Sequence, residues 1–538
     1  MSSTSSPLAA GTGPNSTDVL AETARRRTFA IISHPDAGKT TLTEKFLLYA
    51  GKVAEAGQVK ARGARRRVTS DWMALEQQRG ISITSSALQF TYRHHVLNLL
   101  DTPGHKDFSE DTYRVLAATD AAVMVLDGAR GIEPQTLKLF AVCRQRHVPI
   151  VTFVNKYDRP AMAPLELLDQ IEAELDLVPT PVTWPVAVPG DLRGVVDRRS
   201  GRYWRYTRTA RGATEAPEEE LDADTAAERD ADAWPVAAEE LDLLEAVGAS
   251  HDEKTFLAGD STPVFFGSAL TNFGVRLLMD AVVDLAPPPS ARPDAAGVER
   301  SVTSPFSGFA FKVQANMDPA HRDRIAFVRV CSGRFERGMT VTHGRTGKPF
   351  ATKYAHQLFG AGRETIDEAY PGDVIGLVNA SDVRVGDTLY LGEPVTFPPI
   401  PSFAPELFRR ARTTDTGRFK QFRRGLEQLD EEGVVQVLRD DDVGDVEPVL
   451  AAVGEMQFQV AVHRLEEEYG APVRIMAAPW TVARRTDEAS ADELRRLPGA
   501  AVLRRRDGTL LALFESPFYL QRIEAERDHL MLQPVLGS

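Results

Sequence analysis

Three short segments of the chain carry side chains that can bind a nucleotide. The first, residues 33–41, reads Ser-His-Pro-Asp-Ala-Gly-Lys-Thr-Thr and has the form of a phosphate loop with Ser instead of Gly at its first position. Such a loop surrounds the β-phosphate with backbone N–H groups, and Gly38 lets the backbone approach closely. Lys39 can bring positive charge to the β- and γ-phosphate oxygens, and the Thr40 hydroxyl can bind Mg²⁺. Because Gly-Lys-Thr alone is a common tripeptide, the prediction depends on its position between a predicted strand and a predicted helix.

A second segment, residues 101–105, reads Asp-Thr-Pro-Gly-His and follows the apolar run 96–100, which predicts a strand. A carboxylate at the end of that strand can hold a water molecule on Mg²⁺, and the Gly104 N–H can contact a γ-phosphate. Together with the phosphate loop, this segment predicts a nucleoside triphosphate as the ligand.

A third segment, residues 155–158, reads Asn-Lys-Tyr-Asp and identifies the base. The Asp158 carboxylate only accepts hydrogen bonds, and guanine presents two adjacent donors, at N1 and at its 2-amino group. Adenine has an acceptor at N1 and no 2-amino group, so the same carboxylate would face a lone pair. The alkyl stem of Lys156 can cover one face of the base. After the predicted strand 264–266, residues 268–270 fit a loop that closes over the guanine.

These segments define the predicted cofactors, GTP or GDP with Mg²⁺, and the predicted site. Lys39 is also expected to act in catalysis, and Thr40 and Asp101 are expected to bind the metal. The predicted nucleotide-binding residues are Ser33, His34, Pro35, Asp36, Ala37, Gly38, Lys39, Thr40, Thr41, Asp101, Thr102, Pro103, Gly104, His105, Asn155, Lys156, Asp158, Ser268, Ala269 and Leu270.

The elements that must position these segments follow an alternating pattern. Apolar runs at 29–32, 96–100, 121–126 and 150–154 are separated by amphipathic stretches of helical length, which is typical of βαβ units and a parallel sheet. Ligands bind such sheets at the carboxyl ends of the strands, where all three motifs lie. An acidic stretch between 215 and 253 predicts a solvated helical surface inside an insertion.

The predicted fold class is α/β: a P-loop GTPase domain with a parallel sheet and an inserted subdomain, followed by an antiparallel β-barrel domain and an α+β domain. Pro-rich joints near 287–289 and 398–405 separate the domains. The expected ranges are a disordered extension at 1–22, a GTP-binding domain at 23–290 with its insertion at about 160–256, a barrel at 300–397 and an α+β domain at 405–538.

Composition excludes several classes of protein. The 538 residues contain no apolar run near ~18 residues, which predicts no membrane contact, and no secretory signal, which predicts a cytoplasmic location. Cys143 and Cys331 are too few for a disulfide scaffold. The net charge of −13 argues against general nucleic-acid coating and leaves open contact through local basic patches. DNA is not expected as a partner. The candidate basic residues are Arg62, Arg65, Arg66, Arg67, Arg409, Arg410, Arg412, Arg423 and Arg424.

With these motifs in this order, the chain resembles the translational GTPases. Residues 79–84, Arg-Gly-Ile-Ser-Ile-Thr, resemble the first switch of that family, which folds over the γ-phosphate and Mg²⁺. The resemblance implies a metal-binding hydroxyl two positions after the Gly, where this chain has Ser82, and Thr84 stays the alternative. It also implies that His105 orients the attacking water. No arginine is clearly placed by sequence to assist in cis, so slow intrinsic turnover and stimulation by the ribosome are expected.

The resemblance is strongest to the bacterial peptide chain release factor 3 branch of that family. It rests on residues 33–41, 70–73, 107–114, 263–269, 311–319, 321–324, 406–410 and 431–437. It implies a ribosome-stimulated GTPase of translation termination that promotes dissociation of class I peptide chain release factors after peptide release. The implied partners are the ribosome, through its RNA and proteins, and the class I factors.

Three alternative functions agree less well with the sequence. Elongation-type and ribosome-protection GTPases carry several further domains, whereas the roughly 130 residues after position 405 make about one domain. A nucleotide-gated binding module without hydrolysis conflicts with the intact Lys39, Thr40, Asp101 and His105. A P-loop ATPase or kinase conflicts with Asp158.

Overall fold

The computed structural model describes residues 16–52, 86–103, 109–209, 213–315, 324–359, 362–378, 380, 382–400, 404–440 and 444–535. Its helices are α1 (Ser16–Ala24), α2 (Lys39–Tyr49), α3 (Ser109–Ala117), α4 (Pro134–Gln145), α5 (Pro164–Leu175), α6 (Ala223–Arg229), α7 (Trp234–Ala246), α8 (Glu253–Ala258), α9 (Val275–Leu285), α10 (Phe419–Glu432), α11 (Glu455–Glu467), α12 (Glu488–Leu494) and α13 (Pro517–Glu526). Among these helices, none has both the length and the apolar composition needed to cross a membrane.

The first part of the chain forms a seven-stranded sheet in the order β2-β3-β1-β4-β5-β11-β6. All neighbouring strands are parallel except β2 and β3. The strands are β1 (Arg26–Ser33), β2 (Ser86–Tyr92), β3 (His95–Asp101), β4 (Ala121–Asp127), β5 (Ile150–Asn155), β6 (Val178–Pro181) and β11 (Ser261–Phe266). Every residue of β4 and β5 is buried, as expected of strands covered on both faces. The predicted parallel sheet is confirmed.

An inserted subdomain lies between β6 and β11. Its antiparallel sheet has the order β10-β9-β8-β7 and is accompanied by α6 and α7. The strands are β7 (Thr183–Val188), β8 (Asp191–Asp197), β9 (Arg202–Tyr206) and β10 (Glu218–Leu221). The predicted start near residue 160 is wrong, because α5 leads into β6, which pairs in parallel with β11 and so belongs to the main sheet.

The prediction of disorder over 1–22 is also wrong for residues 16–22, which belong to α1. Thr23 donates a hydrogen bond to the Val19 carbonyl, and Arg26 contacts the Glu22 carboxylate at 2.6 Å. The Arg26–Glu22 pair joins the C-terminal half of the helix to the first strand of the sheet. Sequence reasoning missed the helix because its composition is rich in Ser, Thr and Ala.

The middle of the chain forms a curled antiparallel sheet in the order β18-β17-β23-β14-β15-β22-β19-β20. Its interior is apolar, with Val328, Ile375 and Leu389 fully buried. The strands of this region, including two short pairs, are β12 (Arg292–Pro293), β13 (Glu299–Arg300), β14 (Ser307–Ala315), β15 (Arg324–Ser332), β16 (Phe335–Glu336), β17 (Thr340–His343), β18 (Pro349–Ala351), β19 (Ala355–Phe359), β20 (Gly362–Thr365), β21 (Glu368–Ala369), β22 (Val374–Val378) and β23 (Thr388–Tyr390).

The last region combines an eight-stranded sheet with four helices, in the strand order β27-β24-β26-β25-β29-β30-β28-β31. Phe422, Leu426 and Leu429 form the buried stripe of α10, as the helical spacing predicts. The strands are β24 (Leu407–Thr413), β25 (Gln436–Asp440), β26 (Gly444–Ala452), β27 (Val473–Ala477), β28 (Val482–Thr486), β29 (Ala500–Arg504), β30 (Leu510–Phe514) and β31 (Gln533–Pro534).

One buried carboxylate joins the parallel sheet to the curled sheet. Asp373, which precedes β22, is 1% exposed and accepts hydrogen bonds from Arg26 Nε at 2.9 Å and Gln89 Nε2 at 2.9 Å. Asn98 Nδ2 donates to the same carboxylate at 3.2 Å, and so does the Tyr370 backbone N–H at 2.9 Å. Since three of these donors come from β1, β2 and β3, the contact holds the two regions together at the amino end of β1.

A second junction joins the parallel sheet to the last region. Arg114 on α3 is buried, and its Nη1 donates to the Glu432 carbonyl at 2.9 Å. Its Nη2 donates to Glu110 Oε1 at 2.6 Å within the same helix. Glu432 in turn pairs with Arg464 on α11 at 2.7 Å. Helix α3 is therefore tied to the end of α10.

Candidate functional site

The phosphate loop connects β1 to α2, as the sequence predicts. Gly38 precedes the first residue of α2 with φ 104°, a left-handed conformation that favours glycine. A Cβ at this position would also collide with Asn155 Nδ2. Asp36 is left-handed as well, with φ 66°. The loop therefore curls tightly into the amino end of α2, where N–H groups and the helix dipole favour an anion.

Lys39 and Asp101 meet beside this loop. Strands β1 and β3 are neighbours with Ile31 opposite Asp101, which brings the end of β3 alongside the loop. Lys39 Nζ lies 2.6 Å from Asp101 Oδ1, and both side chains are buried. The Thr102 hydroxyl donates to the Ile31 carbonyl at 2.7 Å and fixes the chain just after β3.

Asn155 connects the phosphate loop to the loop after β11. Its Nδ2 donates to the Ala37 carbonyl at 2.7 Å, and its Oδ1 accepts from the Ala269 N–H at 2.8 Å. Ser268 and Ala269 are buried, whereas Leu270 is 46% exposed. Two reciprocal backbone hydrogen bonds between Ser268 and Phe273 close this second loop. One amide thus sets the relative position of the two loops.

The side chain of Lys156, which follows β5, contacts the phosphate loop. Its Nζ donates to the Asp36 carbonyl at 2.5 Å and to Asp127 Oδ2 at 2.9 Å. Although burial alone would raise the pKa of Asp127, the hydrogen bonds from Lys156 and from the Ala129 N–H lower it below the usual value. Asp127 is therefore an anion that holds the ammonium group of Lys156 in place. With its end held there, the alkyl stem of Lys156 lies along the site.

The carboxylate of Asp158 indicates which base the site can bind. Its Oδ1 is buried and has no hydrogen-bond partner among the described residues. A buried carboxylate oxygen without a donor is costly, so such an atom indicates a partner that supplies one. The two adjacent donors of guanine match this requirement.

His34 and Ser33 complete the wall of the phosphate loop. His34 Nε2 lies 2.6 Å from Glu133 Oε2. Burial lowers the pKa of His34 below its usual value, in spite of the opposing effect of the Glu133 carboxylate. The Ser33 hydroxyl is buried without a partner among the described residues.

Sequence reasoning missed Asp127 and Glu133. Asp127 ends β4, which lies between β1 and β5, so its position at the edge where the motifs meet was a usable signal. Glu133 follows it in the loop before α4, where no spacing rule identified it.

The remaining predicted residues divide into two groups. Pro35, Thr40 and Thr41 lie on the phosphate loop and the first turn of α2, and Pro103 follows β3. Ser82, Thr84, Gly104, His105 and the arginines at 62 and 65–67 lie outside the described residues, and their roles stay predictions.

Within the described residues no group of three or more His, Cys, Asp or Glu side chains forms a metal site by itself. The described geometry brings together a phosphate-binding loop, a buried Lys–Asp pair and a carboxylate suited to guanine.

Three family models match consecutive parts of the chain. Residues 24–288 match the Elongation factor Tu GTP binding domain, and residues 305–392 match Elongation factor G domain 2. Residues 397–524 match the model of the Class II release factor RF3, C-terminal domain. The last match favours termination over the elongation-type and ribosome-protection alternatives.

A solved structure has the same fold. A crystal structure of a Thermus thermophilus protein aligns with a TM-score of 0.68, and the alignment covers 90% of this chain and 72% of that chain. The identity is 22%, so this likeness concerns the fold alone.

Curated relatives match nearly the whole chain. The peptide chain release factor 3 of Synechocystis sp. is 49% identical over 524 residues, which cover 96% of each chain. That of Gloeobacter violaceus is 49% identical over 527 residues, with 96% of this chain and 98% of the relative covered. That of Acaryochloris marina is 48% identical, with 95% of each chain covered. The chain therefore belongs to the peptide chain release factor 3 family of translational GTPases.

Proposed function

We propose that this GTPase acts on ribosomes in the cytoplasm after the peptide has been released, and that its GTP-bound form promotes dissociation of class I peptide chain release factors. Its membership of the family makes it a GTP-hydrolysing protein of translation termination. The observation that carries the finer proposal is the near full-length match, which includes the C-terminal release-factor model at residues 397–524.

The guanine would bind between the loops that follow β5 and β11. The unpartnered Asp158 Oδ1 would accept from the base, and this contact would select guanine over adenine. The Lys156 stem, held by Asp127 and the Asp36 carbonyl, would cover one face of the ring. Asn155 would keep the second loop at the right distance from the phosphate loop.

The phosphates would bind at the amino end of α2. Lys39, 2.6 Å from Asp101, would turn toward the β- and γ-phosphate oxygens as they enter. Thr40 and Asp101 would help to hold Mg²⁺ together with Ser82, for which Thr84 stays the alternative, since this ion prefers hydroxyl, carboxylate and water oxygens. When bound, the ion supplies positive charge that offsets the charge on the phosphates.

Hydrolysis would need a correctly oriented water molecule, and we assign that role to His105. Phosphoryl transfer depends mainly on positioning and charge stabilisation, so a site whose water-orienting group is ordered only by a partner turns over slowly alone. The ribosome would be the partner that orders His105, and it would therefore stimulate hydrolysis.

The test uses ribosomes halted at a stop codon after peptide release, with a fluorescently labelled class I factor bound. Addition of the protein with GTP should speed the departure of the labelled factor, measured by the loss of fluorescence transfer to the ribosome. The protein with GDP serves as the control. An unchanged departure rate with GTP would refute the proposed role while leaving the guanine site intact.

A further inference from the structure

The last region carries many arginines, and the structure shows on which face of its sheet each arginine of β24 lies. Arg409 contacts Glu455 Oε2 at 3.0 Å, and its guanidinium lies 5.5 Å from the Phe458 ring centre. Arg410 points to the other face of the sheet, with its guanidinium 5.4 Å from the Trp480 ring centre. Both are half-buried. These two arginines are therefore used in packing.

Six other basic residues lie around one end of the sheet, which we call the basic end: Arg412, Arg418, Lys420, Arg423, Arg424 and Arg474. Arg412 and Arg474 are on the same face of the sheet as Arg410, whereas α10 packs against the opposite face. Strand β24 ends there and β27 begins there, since Thr413 pairs with Val473 and the Thr414 N–H bonds the Pro472 carbonyl. A short turn then leads directly into α10.

All six side chains of the basic end are exposed. Arg412 lies 3.4 Å from Glu447 Oε1, yet 63% of its side chain is exposed. Arg423 lies 3.6 Å from Glu427 Oε1 within α10. Arg418, Lys420, Arg424 and Arg474 form no ion pair with any residue that the structure describes. The basic end thus has a surplus of positive charge in a chain whose net charge is −13.

The arrangement of these charges opposes folding in two ways. Arg412 and Arg474 are direct cross-strand partners of β24 and β27, and like charges in such pairs destabilise a sheet. Arg418 precedes α10 and Lys420 lies in its first turn, which has no acidic residue, so these cations oppose the helix dipole. Residues that break a local stability rule in this way are expected at functional sites.

We propose that the basic end binds the phosphate backbone of ribosomal RNA, which would place the last region of the protein against the ribosome; this inference rests on the proposed function. Guanidinium groups pair with phosphate through two parallel hydrogen bonds, and several separated cations suit a polyanion better than a single anion. Because the chain as a whole is acidic, approach to RNA requires such a local patch. Bound phosphates would also relieve the repulsion between Arg412 and Arg474.

The first test measures binding to 70S ribosomes with a non-hydrolysable GTP analogue at several salt concentrations. Arg412→Gln/Arg474→Gln should weaken binding by roughly tenfold near physiological salt and lower the slope of log affinity against log salt by about 1 to 2. The matched control is Arg496→Gln/Arg522→Gln, which removes two exposed arginines elsewhere in the last region. The thermal unfolding midpoint of the test variant should stay the same or rise, because a repulsive pair is removed. Equal affinity and slope for the two variants would overturn the proposal.

A second test asks whether RNA or protein is contacted. Cys143 and Cys331 are buried, so a cysteine introduced by Thr416→Cys can carry an iron chelate that cleaves nearby RNA by hydroxyl radicals. Strand breaks in ribosomal RNA are expected from this position and not from Asp528→Cys. Weaker binding of the test variant without RNA cleavage would show an acidic protein partner and refute the RNA contact. Failure of the unmodified protein to bind ribosomes with the analogue would instead refute the proposed function.

Discussion

Lys39 and Asp101 form a buried ion pair, with Nζ 2.6 Å from Oδ1, at the edge of the sheet where the phosphate loop begins. The two residues are those assigned to the phosphates and to Mg²⁺. A nucleotide bound as proposed would therefore compete with Asp101 for the Lys39 ammonium group, and Asp101 would gain another partner when the lysine turned.

Lys39→Ala should raise the dissociation constant for GTP by about 10- to 100-fold, because a hydrogen bond to a charged group contributes about 1.5–3 kcal/mol. Isothermal titration with GTP and GDP measures this change. Lys52→Ala, an exposed lysine just beyond α2, is the control. An unchanged constant for Lys39→Ala would contradict its assignment to the phosphates.

Asp158→Asn should change the base preference from guanine to xanthine, since the new amide can donate to the C2 carbonyl of xanthine. We expect GTP affinity to fall at least about tenfold and xanthosine triphosphate affinity to rise. Competition between the two nucleotides on one sample measures both. Asp169→Asn, on the exposed side of α5, should leave the preference unchanged. Retained GTP preference in the Asp158 variant would refute guanine recognition by this carboxylate.

His105→Ala should bind GTP normally and lose about 100-fold or more of its ribosome-stimulated turnover, as expected for a group that positions the water. Phosphate release in the presence of ribosomes gives the rate, and equilibrium binding gives the affinity. His95→Ala, at the opposite end of β3 from Asp101, serves as the comparison. Normal stimulated turnover would remove His105 from the mechanism.

Gly433→Ala should destabilise the junction between α3 and α10. Gly433 ends α10 with φ 77°, and a Cβ there would overlap the Arg114 guanidinium. The left-handed backbone alone costs about 1 kcal/mol, and the overlap should add a further ~1–3 kcal/mol. Gly470→Ala is a matched control, because it has φ 59° and open space around it. Thermal unfolding should separate the two variants, and equal midpoints would show that Arg114 moves away at no cost.

Asp430 should make the stability of the last region depend on pH. Burial raises the pKa of Asp430 to about 6 in the folded protein, above the ordinary value of about 3.9. Between about pH 4 and about pH 6 the folded state therefore binds more protons than the unfolded state. The free energy of unfolding falls as the pH rises through this range and is lowest above about pH 6. Asp430→Asn keeps an acceptor for the Val437 N–H and should stabilise the protein at pH 7 by about 1–2 kcal/mol. Denaturant unfolding at pH 5 and pH 7 measures the effect, and an unaltered pH dependence relative to Asp528→Asn would contradict it.

The sequence predicts which residues stand at the strand ends better than it predicts where one region ends and the next begins. Ser33, Asp101 and Asn155 end their strands as expected, because short motifs fix local backbone conformation and the apolar runs fix the strands. The insertion boundary was misplaced because β6 depends on pairing with β11, about 80 residues away, which no local pattern records.

The basic residues of the last region illustrate the same limit. Arg409 and Arg410 look equivalent to Arg412 in sequence, and only the pairing of β24 shows which face each occupies. The partner Arg474 lies about 60 residues further on, so the like-charge pair could not be seen before the register was known.

The shared carboxylate of Asp373 has a consequence for how the chain responds to cutting. It is held by four donors, and Thr28 adds a hydrogen bond of 2.7 Å to the neighbouring Gly372 carbonyl. Backbone cleavage in the exposed turn at 295–298 would therefore leave both fragments associated and co-migrating in native chromatography. The covalent connection between the two fragments would then not be needed to keep them associated.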